Sequence, residues 1–154
     1  MTITEILDAP NGEHQLTFIN GHTHEGLQTV VFRVRDSHYV GYVKAPDALI
    51  EAYPAPADDG VYDVRSLESM VDVHGGLTYG PDEDGWVGFD CAHSGDMCVD
   101  ENGTPLPNNI EADLRAAMND YDRKEWATDW WPEDVVEECD RLAEALNELA
   151  LKVR

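Results

Sequence analysis

Five side chains that can bind a metal or move a proton lie close together between Val71 and Asp96. They are two imidazoles, two carboxylates and a thiol, belonging to His74, Asp90, Cys91, His93 and Asp96. Imidazole and carboxylate groups are ligands for zinc, manganese and iron, and a metal with an open position activates a bound water for hydrolysis. We therefore take this segment as the candidate functional site, with a metal set of His74, Asp90, His93 and Asp96 that suits zinc or manganese.

A β-hairpin is the element that would bring these side chains together. Strand-forming residues over Val71–Tyr79 and over Trp86–Cys91 flank a six-residue loop, GPDEDG. Strand runs separated by a loop rich in glycine, proline and aspartate are typical of antiparallel hairpins. The sequence therefore predicts two paired strands, with Tyr79 opposite Trp86 at the loop end.

The register of this hairpin predicts which side chains meet. In a regular ladder His74 lies opposite Cys91, and a one-residue bulge at Gly75 and Gly76 moves it opposite Asp90. In either register His74 contacts the corner formed by Asp90 and Cys91. His93 and Asp96 then follow at spacings of three residues.

Two other interpretations fit the same residues. In the first, His74 and Asp90 form a hydrogen-bonded pair that supports the bulge, while Asp96 closes a turn. In the second, Cys91 is a nucleophile with His74 or His93 as its base, although the neighbouring Asp90 would raise the thiol pKa. The spacing matches no diagnostic metal motif such as HExxH.

His22 and His24 stand two residues apart in a segment bounded by glycines. We expect a loop there, over 22–26. If that loop folded over the hairpin, both histidines would add ligands to the candidate site.

The charge of the chain is strongly negative. It has 32 acidic residues against 10 basic ones, a net charge of -22, and the acids are spread along the whole length. Such self-repulsion is screened in molar salt, which favours a protein from a salt-loaded cytoplasm; the alternative is an acidic mimic of nucleic acid. Direct nucleic-acid binding is not expected, because the sequence has neither a basic patch nor a phosphate-binding glycine loop.

The chain length of 154 residues predicts a single domain over 1–154, strand-rich over 1–96 and helical over 108–154. Three cysteines imply no disulfide framework. We expect neither a secretory signal nor a membrane span, and therefore a soluble protein of the host-cell cytoplasm.

Strand signals dominate the first part of the chain. Alternation over Leu27–Arg35 predicts a strand with one buried face, preceded by a strand at Gln15–Asn20 and followed by another at Tyr39–Val43. Thr2–Leu7 reads as a short strand or a helical turn, and Pro46–Glu51 as one helical turn. These strands indicate an antiparallel meander.

The C-terminal part changes to a helical period. Ile110–Tyr121 predicts one helix, Glu125–Trp131 a break, and a second helix starts at Pro132. An apolar seam follows along this second helix, formed by Val135, Cys139, Leu142, Leu146, Leu149 and Val153. We predict that the seam packs on the sheet of its own chain, with oligomerisation through it as the alternative.

Together these elements predict an α+β fold, an antiparallel sheet of about five strands with two C-terminal helices packed on one face. For function the sequence leaves two hypotheses. One is an accessory protein with a His/Asp pocket at the hairpin end, a candidate metal-dependent hydrolase. The other is a non-enzymatic acidic protein that binds a host protein through its acidic surface and the region Trp126–Trp131.

The segments Val73–Tyr79 (VHGGLTY) and Gly88–Asp96 (GFDCAHSGD) resemble those of a family of small uncharacterised proteins from tailed-phage and prophage genomes. In that family a glycine-rich strand similar to Tyr39–Val43 comes before them and a helix similar to Val135–Leu146 follows, so that the resemblance covers about half of the chain. It implies a viral or prophage origin and supplies no catalytic residues. This chain departs from the family in its acidity and in an insert around Tyr53–Gly60, which implies a version adapted to high salt.

Overall fold

A four-stranded antiparallel sheet forms the centre of the protein. The computed structural model describes residues 3–8, 16–53, 67–93, 95–109 and 128–153. The strands follow the order β1-β2-β3-β4, and they are β1 Leu16–His24, β2 Leu27–Val34, β3 His38–Lys44 and β4 Trp86–Asp90. The first three form a meander, as predicted, and β4 returns alongside β3 after the chain has left the sheet.

Helices and two further strands surround this sheet. They are the helices α1 Ile3–Asp8, α2 Asp47–Ala52, α3 Leu67–Met70 and α4 Pro132–Lys152, and the strands β5 Asp96–Cys98 and β6 Thr128–Trp130. Strands β5 and β6 pair in parallel and form a second, two-stranded sheet. Among the described residues no helix is both long enough and apolar enough to cross a membrane.

Helix α4 packs on one face of the main sheet. Its seam residues Val135, Cys139, Leu142 and Leu146 are fully buried, in a core that they share with Val31 and Val43 of the sheet. Strand β3 and helix α4 approach each other closely at Gly41, where an added Cβ would lie 2.6 Å from Sγ of Cys139. The seam is thus occupied within the chain, as predicted, and leaves little apolar surface for an oligomer to use.

The opposite face of the sheet is covered as well. Val30, Phe32, Val40 and Trp86 form a second cluster with Ile3 of α1. Val30, Val31 and Phe32 are at most 2% exposed, although their side chains alternate between the two faces. The prediction of one buried face on β2 is therefore wrong: α1 covers the side of Val30 and Phe32, and Val31, on the side that the alternation assigned to solvent, is buried against α4.

The predicted fold class is confirmed at the level of an α+β protein with an antiparallel sheet and a C-terminal helix that begins at Pro132. The first predicted C-terminal helix, Ile110–Tyr121, lies outside the described residues, as does Trp126. Of the two alternatives for Thr2–Leu7, the helical one agrees with the described part of that segment, which belongs to α1 from Ile3 onward. The predicted loop over 22–26 is also wrong, because β1 continues to His24 and turns at Glu25 and Gly26.

The predicted strand Val71–Tyr79 does not form. Gly75 and Gly76 adopt φ angles of 69° and 80°, and the Gly76 amide donates to the carbonyl oxygen of Val73 at 2.8 Å. Positive φ at two successive residues turns the chain sharply, which ends any extended run. Tyr79 forms an isolated bridge with Gly88, so the predicted pairing of Tyr79 with Trp86 is wrong by two residues.

Candidate functional site

Asp96 is the centre of a cluster with two imidazoles. Its Oδ2 atom lies 2.9 Å from Nε2 of His74 and 3.1 Å from Nδ1 of His93. One ligand atom of each residue lies within 4.8 Å of the others. We call this group, His74, His93 and Asp96, the Asp96 centre.

The carboxylate of Asp96 is held from two directions. In the turn before β5 the amide of His93 donates to Oδ2 at 3.0 Å, and the amide of Asp96 donates to the carbonyl oxygen of His93 at 2.9 Å. From β6, the indole Nε1 of Trp130 donates to Oδ1 at 3.1 Å. These bonds fix a carboxylate that is only 5% exposed, so its charge lies below the surface.

His74 is positioned by the turn at Gly75 and by helix α4. Its amide donates to Oε1 of Glu138 at 3.0 Å, and Glu138 in turn pairs with Arg141 on the same helix. The imidazole packs against the indole of Trp130, with ring centroids 4.4 Å apart. The backbone and the ring of His74 are therefore fixed by different parts of the fold.

Gly75 makes room for the ring of His93. A Cβ at position 75 would lie 2.2 Å from Cε1 of His93, far closer than carbon atoms approach without bonding. The rings of His93 and His74 meet edge to face, with centroids 5.3 Å apart. Gly75 thus contributes both a positive φ and an absent side chain, and Gly76 completes the turn.

Asp90 lies beside the centre rather than in it. Its Oδ1 is 3.6 Å from Nε2 of His93 and accepts a hydrogen bond from the amide of Ala92 at 3.1 Å. The predicted contact between His74 and the corner of Asp90 and Cys91 is wrong, because the carboxylate that His74 meets belongs to Asp96. Without the hairpin strand at Val71–Tyr79, the ladder that would have set that register is missing.

Cys91 belongs to the core. It is fully buried and packs with Cys98 and Cys139, which are also free thiols. Burial, with smaller contributions from Cys98 and from the carboxylates of Asp96 and Asp90, raises the pKa of the Cys91 thiol well above its ordinary range. A thiol is nucleophilic as the thiolate, so the interpretation of Cys91 as a nucleophile is contradicted.

The geometry of the Asp96 centre allows two chemical states. In one, both imidazoles are neutral and donate their protons to Asp96. In the other, the same two nitrogens and a carboxylate oxygen bind a metal. Bonds of about 2.0–2.1 Å in a tetrahedron place ligand atoms about 3.3 Å apart, close to the 2.9 and 3.1 Å found here.

His22 and His24 do not join this centre. They lie on β1 and face helix α4, where Asp140 and Glu144 meet them. The pKa of His24 is raised, mainly by its hydrogen bond with Glu144 and then by the charges of Asp140, Glu144 and Glu25, while desolvation opposes the rise. The loop that would have carried these histidines over the hairpin does not form, so they add no ligands to that site and form a separate cluster.

The sequence interpretation missed the supports of the site. Trp130 and Glu138 contact the Asp96 centre from the C-terminal third of the chain, and Asp140 and Glu144 contact the histidines of β1. The only sequence signal was periodicity, since Asp140 and Glu144 are four residues apart and share a helix face.

Comparison with known proteins gives no match to a family model, to a curated protein or to a solved structure. The function of the chain must therefore be inferred from the chemistry of its own side chains.

Proposed function

We propose that this protein is a metal-dependent hydrolase in which His74, His93 and Asp96 bind one divalent ion, zinc or manganese. The observation that carries the proposal is the position of the Asp96 carboxylate, 2.9 Å from Nε2 of His74 and 3.1 Å from Nδ1 of His93. Two imidazoles with one carboxylate are a ligand set found in catalytic zinc sites, where a fourth position is left for water.

Burial of the three side chains supports an open site. Asp96 is 5% exposed, whereas the side chains of His74 and His93 are 27% and 38% exposed. The carboxylate therefore forms the floor of the centre, and solvent reaches the imidazole side. A metal held there supplies Lewis acidity and lowers the pKa of a bound water to about 7.

The surrounding residues would orient these ligands. Trp130 donates to Oδ1 of Asp96, which also lies 3.0 Å from Nε2 of His74, and the carboxylate of Asp90 stands 3.6 Å from the outer nitrogen of His93. Carboxylates and other acceptors behind a ligating histidine fix its ring and increase its basicity. With this negative charge nearby, we propose an uncharged ester or amide as the substrate rather than a phosphate.

The proposed setting is a tailed phage or prophage whose host keeps its cytoplasm at high salt. Support comes from the resemblance of VHGGLTY and GFDCAHSGD to the phage family and from the net charge of -22. The same charge supports the second candidate function, a non-enzymatic acidic protein that binds a basic surface of a host protein. The metal content of the purified protein separates these two candidates.

The test is metal analysis in a background that lacks the other histidine pair. A His22→Ala/His24→Ala variant, purified in high salt, is expected to retain one zinc or manganese ion per chain and to hydrolyse p-nitrophenyl acetate. Adding His74→Ala and His93→Ala is expected to abolish both properties. His38→Ala in the same background is the matched control, since His38 is a partly buried histidine outside both proposed ligand sets, and it should retain both.

Two outcomes would contradict the proposed metal site. One is a well-folded background variant that binds no divalent ion during dialysis against zinc or manganese. The other is a bound ion that persists after both His74 and His93 have been replaced. Metal binding without ester hydrolysis would support the proposed metal site but contradict the proposed hydrolase activity.

A further inference from the structure

We infer that a second divalent-metal site lies between β1 and α4, with His22, His24 and Asp140 as its ligands. It shares no residue with the Asp96 centre and does not depend on the function proposed for that centre. The ligand chemistry, two imidazoles and a carboxylate, suits Zn²⁺.

The secondary structure brings the three ligands together. Residues 22 and 24 are two apart on a strand, so their side chains project from the same face of β1. Asp140 and Glu144 are one helical turn apart on α4 and face that strand. The chain thus presents two imidazoles opposite two carboxylates.

The distances suit one ion. Oδ1 of Asp140 lies 2.7 Å from Nε2 of His22 and 3.7 Å from Nδ1 of His24. These values bracket the separation of about 3.3 Å that tetrahedral zinc requires of its ligand atoms. The three ligand atoms all lie within 4.8 Å of one another.

The outer nitrogen of His22 is committed to other partners. Its Nδ1 lies 2.8 Å from Oδ1 of Asn20 and 3.0 Å from Oγ1 of Thr29. The Thr29 hydroxyl also lies 3.3 Å from the carbonyl oxygen of His22, to which it can donate. In one tautomer Nδ1 carries the ring proton and donates to Asn20; in the other, Nε2 donates to Asp140 and Nδ1 accepts from Thr29.

His24 has the complementary arrangement. Its Nε2 lies 2.9 Å from the carboxylate oxygen Oε1 of Glu144, and a carboxylate accepts, so the ring proton belongs on Nε2. When Nδ1 of His22 carries its ring proton, each neutral imidazole turns an unprotonated nitrogen towards Asp140. Lone pairs facing a carboxylate repel one another unless a cation lies between them.

A metal ion resolves this repulsion and keeps every outer hydrogen bond. Asn20, Thr29 and Glu144 would then be the acceptors that orient ligating histidines. The rival explanation is that both rings carry a second proton and form ion pairs with Asp140 without a metal. A further alternative uses Nε2 of His24 with Glu25 and Glu144, whose ligand atoms also lie within 4.8 Å.

The nitrogen that binds the ion distinguishes these explanations. The experiment is a Zn²⁺ titration of protein labelled with ¹⁵N-histidine, in the His74→Ala/His93→Ala background, followed by long-range ¹H–¹⁵N spectra. We expect Nε2 of His22 and Nδ1 of His24 to shift to metal-bound values, while protons stay on Nδ1 of His22 and Nε2 of His24. The thermal midpoint should rise with Zn²⁺ until one equivalent has bound, because the ion joins segments 118 residues apart.

Substitutions test the same assignment by affinity. Asp140→Asn keeps the size of a ligand and removes its charge, so we expect Zn²⁺ affinity to fall more than about 100-fold. Glu144→Ala removes an outer acceptor, with an expected loss of about 10- to 100-fold. Glu148→Gln, an exposed acid one turn further along α4, is the control and should leave the affinity unchanged.

The inference is overturned by doubly protonated rings that do not respond to Zn²⁺, or by metal on Nε2 of His24. Unchanged affinity in Asp140→Asn would overturn it as well. The wild-type spectra decide the matter even if a variant fails to fold. Each background keeps only one of the two proposed ligand pairs. A failed test of the site at His22 and His24 therefore does not bear on the Asp96 centre, and a failed test of the Asp96 centre does not bear on this site.

Discussion

The indole of Trp130 packs against the imidazole of His74, with ring centroids 4.4 Å apart and ring planes inclined at 46°. The same indole donates its Nε1 proton to Oδ1 of Asp96 at 3.1 Å. One side chain therefore holds two of the three proposed ligands. The parallel pairing of Cys98 on β5 with Trp130 on β6 fixes the backbone position of Trp130.

Trp130→Phe keeps an aromatic ring over His74 and removes the proton donor to Asp96. We expect zinc affinity at the Asp96 centre to fall about 10- to 100-fold, because an outer hydrogen bond that orients a ligand is lost. The measurement is a zinc titration in the His22→Ala/His24→Ala background. Trp131→Phe changes a ring that lies against Gly103 and is the control. Equal affinities in both variants would show that the indole N–H does not orient Asp96.

Gly75→Ala should damage the centre without removing a ligand. The new Cβ would meet the ring of His93 at 2.2 Å, so the imidazole has to leave its place beside Asp96. Alanine at a φ of 69° adds a backbone cost of about 1–2 kcal/mol. In the His22→Ala/His24→Ala background we expect loss of zinc binding together with that loss of stability, measured by titration and by urea unfolding.

Gly26→Ala separates the two effects. Gly26 has a φ of 82°, and a Cβ there would find no atom within 4 Å. This variant should show the same backbone cost of about 1–2 kcal/mol and unchanged zinc binding. If Gly75→Ala binds zinc as well as Gly26→Ala does, the contact between position 75 and His93 does not control the site.

The parts of the fold that the sequence predicts are those set by local periodicity. Alternation identifies β2 and β3, and spacings of three and four identify α4 with its buried seam. The segment Val71–Tyr79 has the composition of a strand but contains two glycines in the left-handed region, which local strand signals do not register.

Apart from the contact between His93 and Asp96, three residues apart, the contacts that build the two clusters are not local. His74 and Asp96 are 22 residues apart, Trp130 is 34 from Asp96, and Asp140 is 118 from His22. No pattern within one segment encodes these pairings, since they depend on how β6 and α4 dock on the sheet. Sequence therefore predicts the chemistry of His74, His93 and Asp96 more readily than their partners.

Leu142→Ala tests whether the seam of α4 is a core within the chain. Leu142 is fully buried, so truncation should lower the free energy of unfolding by about 2–5 kcal/mol. Leu151→Ala, at a residue that is 68% exposed on the same helix, should change it by less than about 0.5 kcal/mol. Urea unfolding at two protein concentrations checks both values. A cost for Leu142→Ala that depends on concentration would indicate that an oligomer buries the seam instead.

Added salt should stabilise the protein. The net charge of -22 opposes the compact state, and the screening length falls from about 10 Å at 0.1 M to about 3 Å at 1 M. We expect the thermal midpoint to rise steadily with sodium chloride over this range. Sucrose is the control, at a concentration that raises the thermal midpoint of an uncharged reference protein as much as the sodium chloride does. At that concentration sucrose should raise the midpoint of this protein less than the salt does. A midpoint insensitive to salt would contradict the proposed high-salt setting.

His38 should make stability depend on pH near neutrality. Its pKa is lowered from 6.5 by burial, which the charge of Asp90 only partly offsets. The unfolded chain therefore binds more protons as pH falls through 6.5, so the contribution of His38 is fully present above that pH and is lost on acidification towards the folded pKa. His38→Gln removes this ionisation and should lose less stability between pH 7.5 and pH 5.5 than the wild type. Urea unfolding at both pH values, in constant salt, gives the difference between the two proteins, in which the titration of other groups cancels. A difference that stays constant with pH would show that His38 is equally solvated in the folded and unfolded chains.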